Sequence, residues 1–285
     1  MQTIQNIGER FWYMTPVSET DRPILGMVIG DEKTLMIDAG NSTAHAQAFL
    51  DMLAKKQVKE PQIIALTHWH WDHIFGLSFF TEPVSMASFE TKKGMEKMVS
   101  YSWSDEAIDQ RVEEGTEIEF CAKAIKQEFV AHRDITINLP TVTFQNRLEI
   151  DLGGLTCVLQ EVGGDHAHDS VVVYIKEEKI LFLGDCIYPD IFSSKTNYTV
   201  EKTLKLLSIL ESFDAESYIL SHSGVLTKVE FQEEVLRLKT LASLTDSFQG
   251  ERSKITEMYE KELNRKVNEE EAEAIGYFVN GYKNN

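Results

Sequence analysis

Short apolar runs separated by turn residues occupy the first part of the chain and predict β-strands. These runs lie at residues 11–15, 24–29 and 34–37. A helix is predicted from Ser42 or Thr43 to about residue 56, because either side chain can cap a helix and apolar positions recur along the segment. Residues 63–66 are continuously apolar, which is typical of a central strand covered on both faces.

The remaining pattern predicts a helical insertion, a second set of strands and a helical end. Residues 89–131 carry apolar positions but few strand signals, and we interpret them as the insertion. Strands are predicted at residues 134–139, 142–144, 148–152, 156–162, 171–175, 180–183 and 218–220. Helices are predicted over residues 200–212 and from residue 227 onward, with a break near Gly250. This alternation predicts an α/β fold with its helices outside the sheets.

The charge balance disfavours nucleic acid and membranes as partners. Lys and Arg number 28 and Asp and Glu number 46, so the formal net charge is −18. A phosphate backbone or an anionic membrane surface would therefore meet mostly like charge. No apolar run approaches the roughly 20 residues that a membrane-spanning helix needs.

The cysteines and the start of the chain predict a cytoplasmic protein. Cys121, Cys157 and Cys186 are odd in number and include no CxxC pair, which favours reduced thiols. Residues 1–10 lack the basic start and apolar centre of a secretory signal peptide.

The densest chemistry follows the apolar run at residues 63–66. Residues 67–73 read Thr-His-Trp-His-Trp-Asp-His, which places three imidazoles and a carboxylate within six residues. His68 and His70 face the same way if the backbone is extended, and Asp72 and His73 then turn toward a second point. Neutral imidazole is the commonest transition-metal ligand in proteins, and carboxylate adds charge to a site. The pattern therefore predicts a metal site at the end of a strand.

Further ligand types stand at the ends of other predicted strands. His166 lies in a Gly-rich turn before the strand at 171–175, Asp185 follows the apolar run at 180–184, and His222 follows the strand at 218–220. Each residue alone would more often be structural, since an Asp after a strand is usually a helix cap. Their joint placement favours one shared metal centre. His45 and His132 lie outside these motifs and are expected at the surface or at helix caps.

Residues 67–73 resemble the HxHxDH signature of the metallo-β-lactamase-fold hydrolases. His166, Asp185 and His222 match that family's remaining ligand positions in order, and Asp38 matches its early Asp-x-Gly turn. The resemblance covers residues 24–223 and implies a four-layer αββα sandwich with a two-metal centre along its edge. We expect a catalytic domain at 1–225, with the helical insertion at 89–131 as a lid. A C-terminal helical extension at 226–285 would pack on the same domain.

The resemblance also implies the ligand set. One divalent ion would be held by His68, His70 and His166, and the other by Asp72, His73 and His222, with Asp185 bridging both. Zinc is the expected metal, with Mn²⁺ or Fe²⁺ as alternatives. The catalytic roles, which are to hold the attacking water and accept its proton, fall to Asp72 or Asp185. Asp38 is expected to orient a ligand loop rather than to bind metal.

Candidate substrate contacts are fewer and rest on weaker signals. His168 competes with His166 for the ligand role, but the family places a Ser four residues after the ligand histidine, and Ser170 fits His166. His168, Tyr188 and Trp103 are then candidates for the substrate pocket. In the quorum-quenching lactonases a Tyr at the offset of Tyr188 contacts the substrate carbonyl. Simple packing is the alternative role for each aromatic residue.

These features predict a dinuclear-metal-dependent hydrolase of an ester, lactone, thioester or related small substrate. The finer alternatives are an acyl-lactone lactonase and a glyoxalase-II-like thioesterase, whose C-terminal helical region binds a glutathione thioester. A non-catalytic metal-binding or interaction protein is the alternative from another class. We expect a small-molecule substrate, no nucleic-acid or membrane partner, and a homodimer as one assembly that the helical tail could form.

Overall fold

The computed structural model of the protein describes residues 2–130 and 133–284, and two mixed β-sheets form its centre. The first sheet has seven strands, which neighbour one another in chain order. They are β1 (Ile4–Ile7), β2 (Phe11–Met14), β3 (Leu25–Ile29), β4 (Thr34–Ile37), β5 (Ile63–Ala65), β6 (Val84–Ser88) and β7 (Val142–Phe144). Strands β1 to β4 pair antiparallel and β4 to β7 pair parallel. The carboxyl ends of β4, β5 and β6 therefore lie at one edge.

The second sheet has six strands in the order β13-β12-β11-β10-β9-β8. They are β8 (Arg147–Asp151), β9 (Thr156–Glu161), β10 (Val171–Ile175), β11 (Ile180–Gly184), β12 (Ser217–Leu220) and β13 (Gly224–Thr227). Only β11 and β12 of these described strands pair parallel, so their carboxyl ends also share one edge.

Helices cover the outer face of each sheet. They are α1 (Thr43–Ala54), α2 (Trp71–Ile74), α3 (Phe89–Met98), α4 (Asp105–Glu113), α5 (Glu119–Glu128), α6 (Val200–Leu210), α7 (Lys228–Ser247), α8 (Arg252–Leu263) and α9 (Glu269–Asn284). The side chain of Ser42 caps α1 by accepting from the amide of His45, as the sequence predicts. Thr227 and Glu230 form a capping box at the start of α7.

Three apolar clusters fill the spaces between four layers. One cluster lies between the sheets, a second packs the first sheet against α1 and α3–α5, and a third packs the second sheet against α6–α9. Strand β4 contributes to two clusters at once, because Leu35 and Ile37 face the other sheet while Met36 faces the helices. This burial on both faces explains why the central strands read as continuous apolar runs. The predicted αββα sandwich is confirmed.

The three cysteines are unpaired and buried, and each belongs to a different cluster. Cys121 lies beneath the first sheet's helices, Cys157 between the sheets and Cys186 beneath the second sheet's helices. Burial raises the pKa of all three thiols, to about 12 for Cys157. They are therefore neutral and pack as small apolar side chains.

Some strand predictions were wrong. Residues 134–139 form no strand: Ile135, Ile137 and Leu139 instead lie partly buried against the helix-side cluster of the first sheet. The alternation of apolar and polar residues in this segment reflects packing against that cluster rather than strand pairing. Strands β1, β6 and β13 were not predicted, because their short sequences mix polar and apolar residues.

Two histidine predictions have different outcomes. His45 is fully buried rather than at the surface, and its Nδ1 lies 3.4 Å from the amide nitrogen of Asn41. Burial lowers the pKa of His45 well below its usual value. His132 lies outside the described residues, as do residues 1, 131 and 285 at the ends of the predicted segments.

The helical insertion and the helical end are both packed on the sandwich. Helices α3–α5 occupy the predicted insertion, and α5 also contacts the short 3₁₀ turn Ser18–Thr20. Helices α7–α9 bury their apolar side chains in the same cluster as β11 and β12. Within the described residues, no helix is both long and apolar enough to cross a bilayer.

We predict that the helical end unfolds together with the sheets. Phe278 of α9 is fully buried, with its ring centroid 5.0 Å from that of Tyr198. The change Phe278→Ala should lower the free energy of unfolding by about 3–5 kcal/mol, because it leaves a cavity in a shared core. Urea denaturation followed by circular dichroism measures the loss. As a control, Leu236→Ala should change it by less than about 0.5 kcal/mol, because Leu236 is 67% exposed. A separate early transition for the variant would contradict the shared core.

Candidate metal centre

The end of β5 supplies a compact set of ligand-type side chains. After Ala65 the chain leaves the sheet, and His70 is the residue with extended backbone that precedes the first turn of α2. Asp72 and His73 therefore stand in that helical turn, while His68 and His70 precede it. The Nε2 atom of His68 lies 3.0 Å from Nδ1 of His70. The loop thus aims its side chains at two neighbouring points, as the spacing predicts.

His166 joins the first of these points from the other sheet. It lies in the loop between β9 and β10, and its Nε2 is 3.0 Å from Nδ1 of His70. The amide of Val171 donates to the carbonyl of Thr67 at 2.8 Å, which ties the two ligand loops together. We call His68, His70 and His166 the three-histidine group.

The loop of His166 approaches the loop of Asp185 very closely. At Gly164, φ is +135°, and a Cβ atom there would lie 2.7 Å from the carbonyl oxygen of Cys186. A side chain at this position would push apart the two loops that carry His166 and Asp185. The Gly-rich turn is therefore required by the close approach of the two backbones.

Four further side chains converge beside the three-histidine group. Nε2 of His73 lies 3.0 Å from Asp72 Oδ2 and 3.3 Å from Asp185 Oδ2. Nε2 of His222, which follows β12, lies 3.1 Å and 3.2 Å from the same two oxygens. We call Asp72, His73, Asp185 and His222 the mixed group.

One oxygen of Asp185 faces both groups. Its Oδ2 atom is 3.4 Å from Nε2 of His166 and 3.9 Å from Nε2 of His68, besides its contacts in the mixed group. Asp185 follows β11, which lies between β12, the strand before His222, and β10, the strand after the His166 loop. The predicted bridging residue is thus the side chain that adjoins both groups.

The donor set fits two divalent metal ions. Nitrogen ligands at 2.0–2.1 Å from a tetrahedral zinc ion are about 3.3 Å apart, close to the separations between these side chains. Oδ1 of Asp185 is buried and has no hydrogen-bond partner among the described residues. A buried, unpartnered carboxylate oxygen is costly unless a cation or a donor occupies its other side. Imidazole with carboxylate suits zinc, manganese and iron, so the donor set does not single out one metal.

Other groups fix the orientation of the rings. Oδ2 of Asp38 lies 2.8 Å from Nδ1 of His73, and the amide and hydroxyl of Thr67 donate to the same carboxylate. The Nδ1 of His166 faces the carbonyl oxygen of Pro189 at 3.2 Å, which can only accept. In each case Nδ1 carries a proton, which leaves Nε2 as the ring nitrogen that faces the ligand group. Asp38 therefore contacts a ligand rather than the metal position, and its φ of +60° is a strained conformation.

Sequence reasoning missed Asp21. It is 9% exposed, and its Oδ1 lies 3.3 Å from Nδ1 of His222. Burial and the nearby carboxylate of Asp72 raise the pKa of Asp21 to about 7, although His222 opposes the shift. An Asp in a turn before a strand is common, so no signal in the sequence distinguished this one.

A cavity of about 350 Å³ opens onto both groups. Its described lining residues are Pro16, Ser18, Asp21, His70, Trp71, Asp72, Phe120, Cys121, His166, Asp185, Tyr188, Pro189, Ile191, Phe192, His222 and Ser223. Apart from the ligands and Asp21, these are mostly apolar, and none is Lys or Arg. Phe120 and Cys121 belong to α5, so the insertion forms part of the wall.

The three predicted substrate contacts fall in different places. Tyr188 lines the cavity, and its hydroxyl lies 2.7 Å from Oγ of Ser223. Trp103 is buried in the helix-side core, 4.8 Å from the ring of Phe75, and is absent from the described cavity wall. His168 is exposed and belongs to neither ligand group.

A family model described as the metallo-beta-lactamase superfamily matches residues 20–222, a stretch that includes all seven side chains of the two groups. The chain belongs to the metallo-beta-lactamase superfamily. The three-histidine group and the mixed group give this superfamily member two sets of side chains that can bind divalent metal ions.

Known proteins similar to this chain include a curated relative from Homo sapiens, Acyl-coenzyme A thioesterase MBLAC2. The two are 26% identical over 190 residues, which is 62% of this chain and 63% of the relative. The chain therefore spans less than two thirds of that relative's length.

Solved structures of other proteins share the fold. The metallo-beta-lactamase from Pontibacter korlensis has a TM-score of 0.58 at 18% identity, over 83% of this chain and 98% of its own. The stereoselective inverting sec-alkylsulfatase Pisa1 from Pseudomonas sp. has a TM-score of 0.66 at 13% identity, over 87% of this chain and 43% of its own. At such identities the likeness concerns the architecture alone.

The two groups of this superfamily member differ in their protonation. Burial lowers the pKa of His68, His70 and His166, so these imidazoles are neutral at pH 7. Neutral imidazole is the form that binds a metal ion.

In the mixed group, opposite charges outweigh burial. Burial alone would lower the pKa of His73 and His222, but the nearby carboxylates raise both well above the usual value. Burial would raise the pKa of Asp72 and Asp185, but the same histidines lower both well below the usual value. Without metal, the mixed group is therefore a set of buried ion pairs.

We predict that metal binding releases protons mainly from the mixed group. His73 and His222 must each lose a proton to bind a metal ion, so zinc added at pH 7 should release protons from this group. For the same reason, the affinity of the mixed group should fall as pH falls below the raised histidine pKa values. Titration calorimetry in buffers of different ionisation enthalpy measures the release, with zinc-loaded protein as the control. Binding without proton release would contradict the ion-paired state.

Proposed function

We propose that this protein is a metal-dependent hydrolase of thioesters or esters that carry an apolar acyl group. The observation that carries the proposal is the cavity, which joins both ligand groups to a wall of apolar side chains. An electrophilic carbonyl could lie against the ligand groups while its acyl chain contacts Phe120, Ile191 and Phe192. Burial of apolar surface would then contribute to binding at roughly 25 cal/mol per Å².

The side chains of the two groups suit hydrolysis. Divalent cations held there supply Lewis acidity and a nucleophile at neutral pH. Asp72 and Asp185 are ionised because their pKa values are lowered, so either carboxylate can accept a hydrogen bond from the attacking water and orient it. Zinc is the metal of this proposal, and manganese and iron, which the donor set also suits, are its alternatives.

In this proposal Tyr188 contacts the substrate oxygen, and its position on the cavity wall supports this role. Its hydroxyl lies on the cavity wall beside Ser223, and burial raises the pKa of Tyr188, so the phenol keeps its proton. A neutral phenol can donate a hydrogen bond to an oxygen that gains negative charge in the transition state. This role serves a thioester, an ester or a lactone equally.

The curated relative favours a thioester among these substrates, because it is named as an acyl-coenzyme A thioesterase. The described cavity wall contains no Lys or Arg, so the anionic parts of a thioester would lie outside it. The same lack of Lys and Arg argues against close contact with glutathione carboxylates, as a glyoxalase-II-like enzyme would make.

A lactone remains the second candidate because of Tyr188. A ring-opening lactonase would use the same carbonyl contact and the same apolar wall. A non-catalytic metal-binding protein would have no need of an open cavity beside the ligands. The three neutral, unpaired thiols support a reducing compartment such as the cytoplasm as the site of action.

We predict that hydrolysis depends on the metal centre. The protein should cleave acyl thioesters of medium chain length, lose activity with a chelator and regain it with zinc. The change Asp185→Asn should lower kcat/KM by more than about 100-fold, because it removes a charged ligand shared by both groups. Thiol release measured with a chromogenic disulfide, alongside a panel of lactones and oxygen esters, tests this. Activity that persists in metal-free protein would overturn the hydrolase mechanism, and a metal-loaded protein inert to the whole panel would favour the non-catalytic class.

We also predict that α5 contributes to chain-length preference. Phe120 is 54% exposed and lies on the cavity wall, so Phe120→Ala should lower kcat/KM for a long-chain thioester about fivefold while sparing the acetyl thioester. Phe89→Ala is a matched control, since Phe89 is 40% exposed on the same insertion but outside the described cavity wall. Equal effects of the two changes would indicate that α5 does not contact the acyl chain.

A further inference from the structure

We propose that each ligand group is held in place by its own outer carboxylate: Asp21 fixes His222 in the mixed group, and Asp169 fixes the His68–His70 pair in the three-histidine group. This inference rests on the proposed metal centre. It concerns two positioning residues that contact ligands or the backbone between them, and it predicts that the two metal sites can be weakened separately.

Asp21 adjoins the outer nitrogen of His222. Its Oδ1 lies 3.3 Å from Nδ1, while Nε2 of the same ring faces Asp72 and Asp185. A carboxylate on the outer nitrogen sets the ring orientation and increases the basicity of the inner nitrogen. His222 lies in the turn after β12, whereas His73 lies in helix α2 and contacts Asp38. The orientation of the His222 ring therefore depends more on the contact with Asp21.

The position of Asp21 is itself fixed from several sides. Its backbone is left-handed, with φ of +53°, and its amide donates to the carbonyl of Ser18. The next residue, Arg22, forms two hydrogen bonds with the buried carboxylate of Glu128 at the end of α5, at 2.7 and 3.1 Å. Two residues further on, the amide of Ile24 donates to the carbonyl of Ser221 at 2.8 Å. The turn is thereby anchored both to the insertion and to the residue before His222.

Asp169 adjoins the backbone between the first two ligands. The amide of Trp69 donates to Oδ2 of Asp169 at 3.0 Å, and the carboxylate is 2% exposed. Trp69 is the residue between His68 and His70, so this bond sets the direction in which both side chains leave the backbone. Asp169 belongs to the loop of His166, so it also sets that loop against the other two ligands. Its Oδ1 is buried and unpartnered among the described residues.

The ring of Trp69 holds the same segment from the other side. A Cβ atom at Gly94 of α3 would lie 2.5 Å from Cγ of Trp69, so the indole packs directly against the helix backbone. The segment between His68 and His70 is therefore held by a hydrogen bond on one side and by helix α3 on the other. Rotation of this peptide would move two of the three ligands of one metal ion at once.

The test measures metal affinity at each site. The apo-protein is titrated with Cd²⁺, and ¹¹³Cd NMR separates a site with three imidazoles from a site with carboxylate ligands. Chelator competition gives the two dissociation constants. Asp21→Ala should weaken the carboxylate-containing site about 10- to 100-fold and leave the other within threefold. Asp169→Leu should weaken the three-imidazole site by a similar factor, with the converse selectivity.

Isosteric variants separate positioning from folding. Asn keeps an oxygen that can accept from the Trp69 amide, so Asp169→Asn should recover most of the lost affinity, whereas Leu, of similar size, should not. Glu271→Ala is the control for loss of a buried carboxylate, because Glu271 is 6% exposed on α9 and pairs with Arg265 far from the ligand groups. It should change neither dissociation constant. Circular dichroism of each metal-free variant verifies the fold.

Each of the other possible results would contradict one of the claims made above. If wild-type protein binds two ions and both variants retain both affinities, the positioning roles are wrong while the proposed function stands. If either variant weakens both sites equally, the separate support of the two sites is wrong. If Asp169→Asn is as defective as Asp169→Leu, the hydrogen bond is not what positions the ligands. If wild-type protein binds no metal, both the proposed function and this inference fail.

Discussion

The carboxylate of Asp185 is the point at which the two halves of the molecule meet. One of its oxygens lies within 3.2 to 3.9 Å of ring nitrogens from both ligand groups, and these rings are carried by loops of both sheets. Such a cluster of buried charge is tolerable only if each group faces an opposite charge or a donor. The two sheets therefore have to keep one relative position at this edge, and the close-packed apolar cluster between them contributes to that rigidity.

Much of this arrangement was predictable from the sequence because it depends on local patterns. Continuous apolar runs such as residues 63–66 predicted buried strands, and the polar residue after each run predicted a shared edge. The seven ligand-type residues are brought together as expected. Trp103 and His168 were harder to place, since an aromatic or a histidine near a motif can equally well pack in the core or face solvent. The structure puts the first in the core and the second at the surface.

The contacts that the sequence did not predict are those made across long separations. Asp21 and His222 are about two hundred positions apart, and nothing in the local pattern of either residue indicates the other. Arg22 and Glu128 are also far apart in the sequence. Their contact joins the turn before β3 to the end of α5 in the insertion. The insertion is thus part of the support of the site as well as part of its wall. A lid that opened fully would have to break both hydrogen bonds between Arg22 and the buried carboxylate of Glu128, which favours small movements of α5 over large ones.

The positions of the three thiols allow the opening of different parts of the core to be followed by chemical labelling. Cys121, Cys157 and Cys186 each lie in a different layer of the core, and Cys121 also lines the cavity. An alkylating reagent can reach Cys157 or Cys186 only when the layer around that cysteine opens, whereas it can approach Cys121 through the cavity. The order in which Cys157 and Cys186 become modified, resolved by mass spectrometry, would then reveal whether the space between the sheets or the helix layer of the second sheet opens first.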